Sequence, residues 1–115
     1  MRKITRAMLN AINSQRNNNY SVENWKCDNT QVYSDRTHIF VTLHGNNIAR
    51  YNRGTKQWEI NNCGWNTRTT NERLHAIVNC YSQNYVGICS KGLITGYKNN
   101  KRIIEPMNDN AWTAI

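Results

Sequence analysis

Acidic side chains are scarce in this chain, seven Asp and Glu against fifteen Lys and Arg, and they fall singly along it. That scatter argues against a carboxylate cluster of the kind that holds Mg²⁺. The four cysteines, Cys27, Cys63, Cys80 and Cys89, form no C-x-x-C pair and have no His at finger spacing, so no metal site is expected. A P-loop, a nucleophile elbow and a dinucleotide fingerprint are missing as well, and no cofactor is expected. No apolar run approaches the roughly 20 residues that a bilayer-spanning helix needs. Met1-Arg2-Lys3 leads into a mixed stretch, not the apolar core of a secretory signal. The expected setting is therefore cytosolic, with reduced thiols, most of them packed inside. Like charges never run in blocks, which excludes a disordered basic tail, and no repeat or linker divides the chain.

Positive charge and asparagine are what the chain has in quantity. Its 115 residues, 38% of them hydrophobic, make one domain with a lean core (mean hydropathy −0.81). The net charge of +8 favours anionic partners, whether nucleotides, nucleic acid or acidic surfaces, without choosing among them. Asparagine clusters at 17–19, 46–47, 61–62 and 99–100 read as turn punctuation, since Asn tolerates the left-handed conformation. An AT-rich genome would produce the same excess.

Periodicity predicts an α+β domain in which a central helix packs on an antiparallel sheet. An N-terminal helix within residues 1–19 carries Ile4, Ala7, Met8, Ala11 and Ile12 on one face. A strand meander follows over residues 30–62, after weaker extended pieces near Ser21-Val22 and a Trp25 that covers part of the core. Its clearest strand, Thr37 to His44, sets Ile39, Val41 and Leu43 against His38, Phe40, Thr42 and His44. His44-Gly45-Asn46-Asn47 is a turn, Ile48 to Tyr51 the next strand, Asn52 to Thr55 a hairpin loop, and Lys56 to Asn61 the third strand. Trp58 reads as core. The central helix, residues 69–82, opens on a capping box of Thr69 and Glu72 and buries Leu74, Ile77, Val78 and Tyr81. Over residues 84–115, a strand from Asn84 to Ser90, a hairpin turning at Lys98 to Lys101, and a last edge strand at Ala111-Trp112-Thr113 close the chain.

The densest chemistry lies just ahead of the central helix. Trp65, Asn66, Thr67, Arg68, Thr69, Thr70 and Arg73 crowd a helix N-terminus, where unpaired N–H groups and the positive dipole end receive anions. Guanidinium forks, hydroxyl and amide donors and an aromatic face together suit a phosphate joined to a base. His44, Asn46, Arg50 and Tyr51 form the opposite wall if the strand turn lies beside that helix start; Tyr51 otherwise reads as core.

Leu43-His44-Gly45-Asn46-Asn47-Ile48-Ala49, followed by Gly64-Trp65-Asn66-Thr67 and Thr69-Thr70-Asn71-Glu72-Arg73-Leu74, resembles a widespread family of small bacteriophage proteins. In that family an LHGNxIA strand-turn precedes a GWxTxTTxxRLN helix start and a closing hairpin. The likeness covers roughly residues 29 to 115, and His75 stands where the family usually has Asn. The resemblance implies a phage accessory protein made in the cytoplasm of an infected bacterium. It carries over no catalytic residue.

Enzymatic chemistry has thin support. His38, His44 and His75 are the available acid–base groups, a metal-free nuclease the reaction they would serve, and a Cys–His nucleophile a further option. The leading expectation is binding without turnover. A phage protein of this kind would sequester a cyclic di- or oligonucleotide immune signal, with a pocket shared between copies of a homo-oligomer. The first alternative is nucleic-acid binding by the dispersed Lys and Arg, with strong salt dependence. The second is inhibition of a host or defence protein through Trp25 and Trp112.

Overall fold

The computed structural model describes residues 2–18 and 22–115. Helix α1 (Lys3–Asn17) precedes a meander of five antiparallel strands, β1 (Asn24–Cys27), β2 (Thr30–Ser34), β3 (His38–Leu43), β4 (Asn46–Asn52) and β5 (Gln57–Ile60). Helix α2 (Arg68–Tyr81) follows, then a separate sheet of β6 (Gly87–Cys89), β7 (Gly92–Lys98) and β8 (Lys101–Glu105). Strand β9 (Thr113–Ala114) returns to pair with β5 as the sixth strand of the first sheet. The α+β class holds, and the meander is longer than the periodicity predicts. β1 is an edge strand with little burial and so leaves no alternation to read. Ser21, expected in an extended piece, lies outside the described residues.

One cross-strand row, Trp25, Val32, Val41, Ala49 and Ile60, faces the helices. Val32, Val41, Ala49 and Ile60 are buried there against Met8 and Ile12 of α1 and Leu74, Ile77 and Val78 of α2. The neighbouring row runs Tyr33, Phe40, Arg50, Glu59 and faces away from the helices. There Tyr33 stacks on Phe40 with ring centroids 5.1 Å apart. Arg50 Nε donates to Glu59 Oε1 at 2.9 Å while its guanidinium lies 4.0 Å from the Trp112 ring.

The turns follow local chemistry. His44 (φ 51°) and Gly45 (φ 79°) alone make the β3–β4 turn, with the two positive φ values that match a hairpin's twist, so the strand resumes at Asn46 rather than after Asn47. Before β3, Asp35 Oδ1 accepts from the N–H groups of Thr37 and His38, both at 2.7 Å, and from the Thr37 hydroxyl. Desolvation acts to raise that carboxyl's pKa, but these bonds and the nearby His38 outweigh it and leave the pKa lowered.

Three expectations need correction. The cysteines are not packed inside: Cys27 and Cys80 are exposed, Cys63 and Cys89 half-buried, because they fall on an edge strand, the outer side of α2, the turn before α2 and the last position of β6. The strand expected from Asn84 spans only Gly87–Cys89, because the Ser82 hydroxyl accepts from the N–H groups of Asn84 and Tyr85 and bends the chain. The capping residue of α2 is Thr67, not Thr69: Thr67 Oγ1 accepts from Thr70 N at 3.2 Å, and Glu72 turns instead toward α1.

Candidate functional site

A cavity of about 440 Å³ opens where the β3–β4 turn meets the start of α2. Buried Leu43 and Ile48 with half-buried Cys63 give it an apolar floor. Trp65, 60% exposed, stands at one side, His44 and Asn46 bring polar groups to the rim, and buried Asn62 forms part of the wall. Thr67, Thr69 and Thr70 of the helix start complete the lining. No Lys, Arg, Asp or Glu side chain lines it among the described residues. With Thr67 capping Thr70 and the Asn71 N–H bonded to Thr67 O, the N–H groups of Arg68 and Thr69 have no partner among the described residues, at the positive end of a fourteen-residue helix.

The loop before the helix is built by buried asparagines. Asn61 Oδ1 accepts from Cys63 N at 2.8 Å, and Asn62 Oδ1 accepts from both Gly64 N and Asn110 N. Asn62 Nδ2 donates to Asp109 Oδ1 at 2.7 Å, which ties the C-terminal segment to the loop. Cys63 (φ 56°) and Gly64 (φ 79°) then turn the chain so that Trp65 swings outward. The Cys63 thiol donates to Asn47 O at 3.1 Å, and burial pushes its pKa up, making it a poor nucleophile.

Of the eleven residues expected at the site, His44, Asn46, Trp65, Thr67, Thr69 and Thr70 meet around this cavity. The other five lie elsewhere. Asn66 is a bracket between loops, donating to Ser90 O at 2.8 Å and accepting from Asn71 Nδ2 at 2.7 Å. Arg68 is exposed on the first turn of α2. Arg50 is engaged by Glu59 and Trp112 on the far side of the sheet. Tyr51 is core, 5.1 Å from the Trp58 ring, and Arg16 lies 5.1 Å over it.

Arg73 is the sharpest departure. Only 1% exposed, it donates through Nε to Thr30 Oγ1 at 3.2 Å and through Nη1 to Thr5 Oγ1 and Glu72 Oε1 at 2.9 and 2.8 Å. Burial lowers its pKa, and the Glu72 charge opposes the shift. Glu72 is also bound by Arg2 at 2.8 Å, so the charged groups join α1, β2 and α2.

The cavity also takes residues that the residue pattern did not single out. Leu43 and Ile48 read only as strand core, and Asn62-Cys63 as loop; their one signal was position, flanking the turn and the Gly64-Trp65 pair. The three histidines do not converge along the fold. His38 and His44 flank opposite ends of β3, whereas His75 Nδ1 accepts from Ile88 N at 3.1 Å and fixes β6 to α2. Among the described residues no three His, Cys, Asp or Glu side chains come together as a metal site, and no helix is long and apolar enough to cross a membrane.

No curated protein and no solved structure matches the chain. A family model described as Kyanoviridae Gp96 protein does, over residues 1–113, and the chain belongs to that family of bacteriophage proteins.

Proposed function

We propose that this phage protein binds a small nucleotide in the cavity under Trp65 and holds it without cleaving it. What supports the reading is one juxtaposition: an exposed indole beside an apolar-floored hollow with the first-turn N–H groups of α2 at its edge. A nucleobase is flat and apolar on its faces and polar at its edges, so it would lie against Trp65 while the rim amides and hydroxyls meet its edge. The phosphate would sit over the N–H groups at the first turn of α2, at the positive end of the helix. A volume of about 440 Å³ lies toward the small end of ligand pockets, roughly 300–1,000 Å³, and suits a single nucleotide unit. A cyclic di- or oligonucleotide signal would then be shared between two or more copies, one unit to each cavity. Held that way in the infected cell, the signal would be withdrawn from its receptor by mass action.

The test is a thermal-shift and calorimetric panel of mononucleotides, cyclic dinucleotides and cyclic trinucleotides. A true ligand at 100 times its Kd stabilises the fold by about 2.7 kcal/mol, a readily measured rise in Tm. Trp65→Ala is expected to abolish that rise while leaving the unliganded melting temperature in place, because Trp65 packs little. Mass spectrometry of the bound molecule after long incubation is expected to return it intact. No stabilisation by any member of the panel, or a Trp65→Ala response equal to wild type, rejects the reading.

A further inference from the structure

The distal half of the β7–β8 hairpin packs against nothing else among the described residues, although its base, at Leu93 and Ile94, is buried. Residues 97–103 are all exposed, on both faces of the ribbon, and Tyr97 (65%) and Ile103 (47%) are among the most exposed large apolar side chains described. Pairing places them on opposite faces, because Tyr97 stands across from Arg102 and Ile103 across from Gly96 in the adjacent pair. The charges divide in the same way. Lys98 lies directly opposite Lys101 on the face of Ile103, and Arg102 lies on the face of Tyr97. Two lysines facing each other across a hairpin repel, and among the described residues neither is paired with an acid; along the chain there is none between Glu72 and Glu105. Glu105 itself, at the base of the hairpin, accepts from the Tyr85 hydroxyl. Asn99 (φ 53°) and Asn100 (φ 63°) make the tight turn that keeps the tip narrow.

We infer that this hairpin is a nucleic-acid arm that enters a groove of duplex DNA. A flat acidic protein surface would cover one face of the ribbon and leave the other wet. A duplex groove has a phosphate wall on either side, and this ribbon carries a cation and an apolar side chain on each face. The major groove admits a two-stranded ribbon. Lys98, Lys101 and Arg102 meet phosphates there, and the repulsion at the tip is relieved by the anions. Tyr97 and Ile103 contact the sugar and base edges. This surface is separate from the cavity, and neither reading depends on the other.

The experiment uses the full chain and a 20-base-pair duplex of mixed sequence, with binding followed by fluorescence anisotropy across a salt series. The triple variant Lys98→Ala, Lys101→Ala, Arg102→Ala is expected to bind at least tenfold more weakly at low salt. Its slope of log K against log salt is expected to be shallower by about 2.7, about 0.9 for each of three phosphates. All three positions are exposed, so its melting temperature should equal or exceed wild type once the lysine repulsion is gone. Tyr97→Ala with Ile103→Ala is expected to weaken binding at an unchanged slope, and Trp65→Ala to leave it unaltered. The inference is overturned by absence of duplex binding in wild type, by an unchanged slope in the triple variant, or by stronger binding to a single strand of equal length. Displacement of the duplex by polyglutamate at equal charge overturns it too, as does a dimer that dissociates in the Tyr97→Ala, Ile103→Ala variant.

Discussion

Arg73 carries a full charge into the interior, and the energy of that placement rests on three oxygens. Thr5, Thr30 and Glu72 each take one of its N–H bonds, and Arg2 holds Glu72 from the solvent side. Removing the guanidinium leaves two buried hydroxyls short of a donor and a carboxylate short of half its positive neighbours. Breaking a buried ion pair from one side costs about 3 kcal/mol or more, and Arg73→Ala is expected to lose about that much in urea unfolding. Arg73→Lys recovers only part of it, because one ammonium does not reproduce a fork reaching both threonines and the carboxylate. Arg68→Ala, at an exposed position five residues earlier, is expected to change stability by no more than about 0.5 kcal/mol. Equal losses for Arg68→Ala and Arg73→Ala would refute this account. Spacing and residue type make the two arginines alike, and both read as ligands for phosphate. Only long-range partners separate them, since Thr5 and Thr30 are 68 and 43 positions away.

Between elements, the seam joining α2 to the second sheet turns on a histidine and a glycine. His75 Nδ1 receives the Ile88 N–H, and a Cβ placed on Gly87 would collide with Cε1 and Nδ1 of that imidazole. Gly87→Ala therefore forces the ring aside and strands a partly buried N–H, at about 1–3 kcal/mol. His75→Ala loses the same bond outright. If the ring is the only obstacle, Gly87→Ala costs almost nothing more in a His75→Ala background, and the double-mutant cycle shows a coupling about equal to the single Gly87→Ala loss. Strict additivity would sink the explanation. Such a seam was not legible in the residues, because nothing local to Gly87 marks it. What was legible had one face more buried than the other: β3 shows its period of two because Ile39, Val41 and Leu43 are inside while His38 and Phe40 stay half-buried. The start of α2 was found but misplaced by two residues. Thr67, Thr69 and Thr70 all satisfy the composition of a cap, and only the Thr67 hydroxyl bonds the right N–H. Four of the ten lining residues were missed, and for Leu43 and Ile48 the reason is similar: they follow the ordinary pattern of core strand residues and reveal nothing of the hollow above them.

At the scale of the whole molecule, two regions of different stability are joined at the base of β7. Leu93 and Ile94 are buried, whereas every residue from Tyr97 to Ile103 is exposed, so the strand leaves the core within three residues. A two-stranded ribbon with no packed face is marginal in water. Its amides are expected to exchange through local opening, while those of β3 and β4, in the middle of a six-stranded sheet, exchange only with global unfolding. Hydrogen-exchange mass spectrometry should therefore give two classes, with the peptide over residues 96–102 exchanging orders of magnitude faster than that over 39–51. A duplex ligand is expected to slow the arm alone, and a nucleotide to slow the peptide over 62–70 alone. Slowing of both regions by either ligand would show that cavity and arm act as one site. Uniform exchange across the two peptides before any ligand is added would mean that the arm is held by something in the fold itself and is not free to enter a groove.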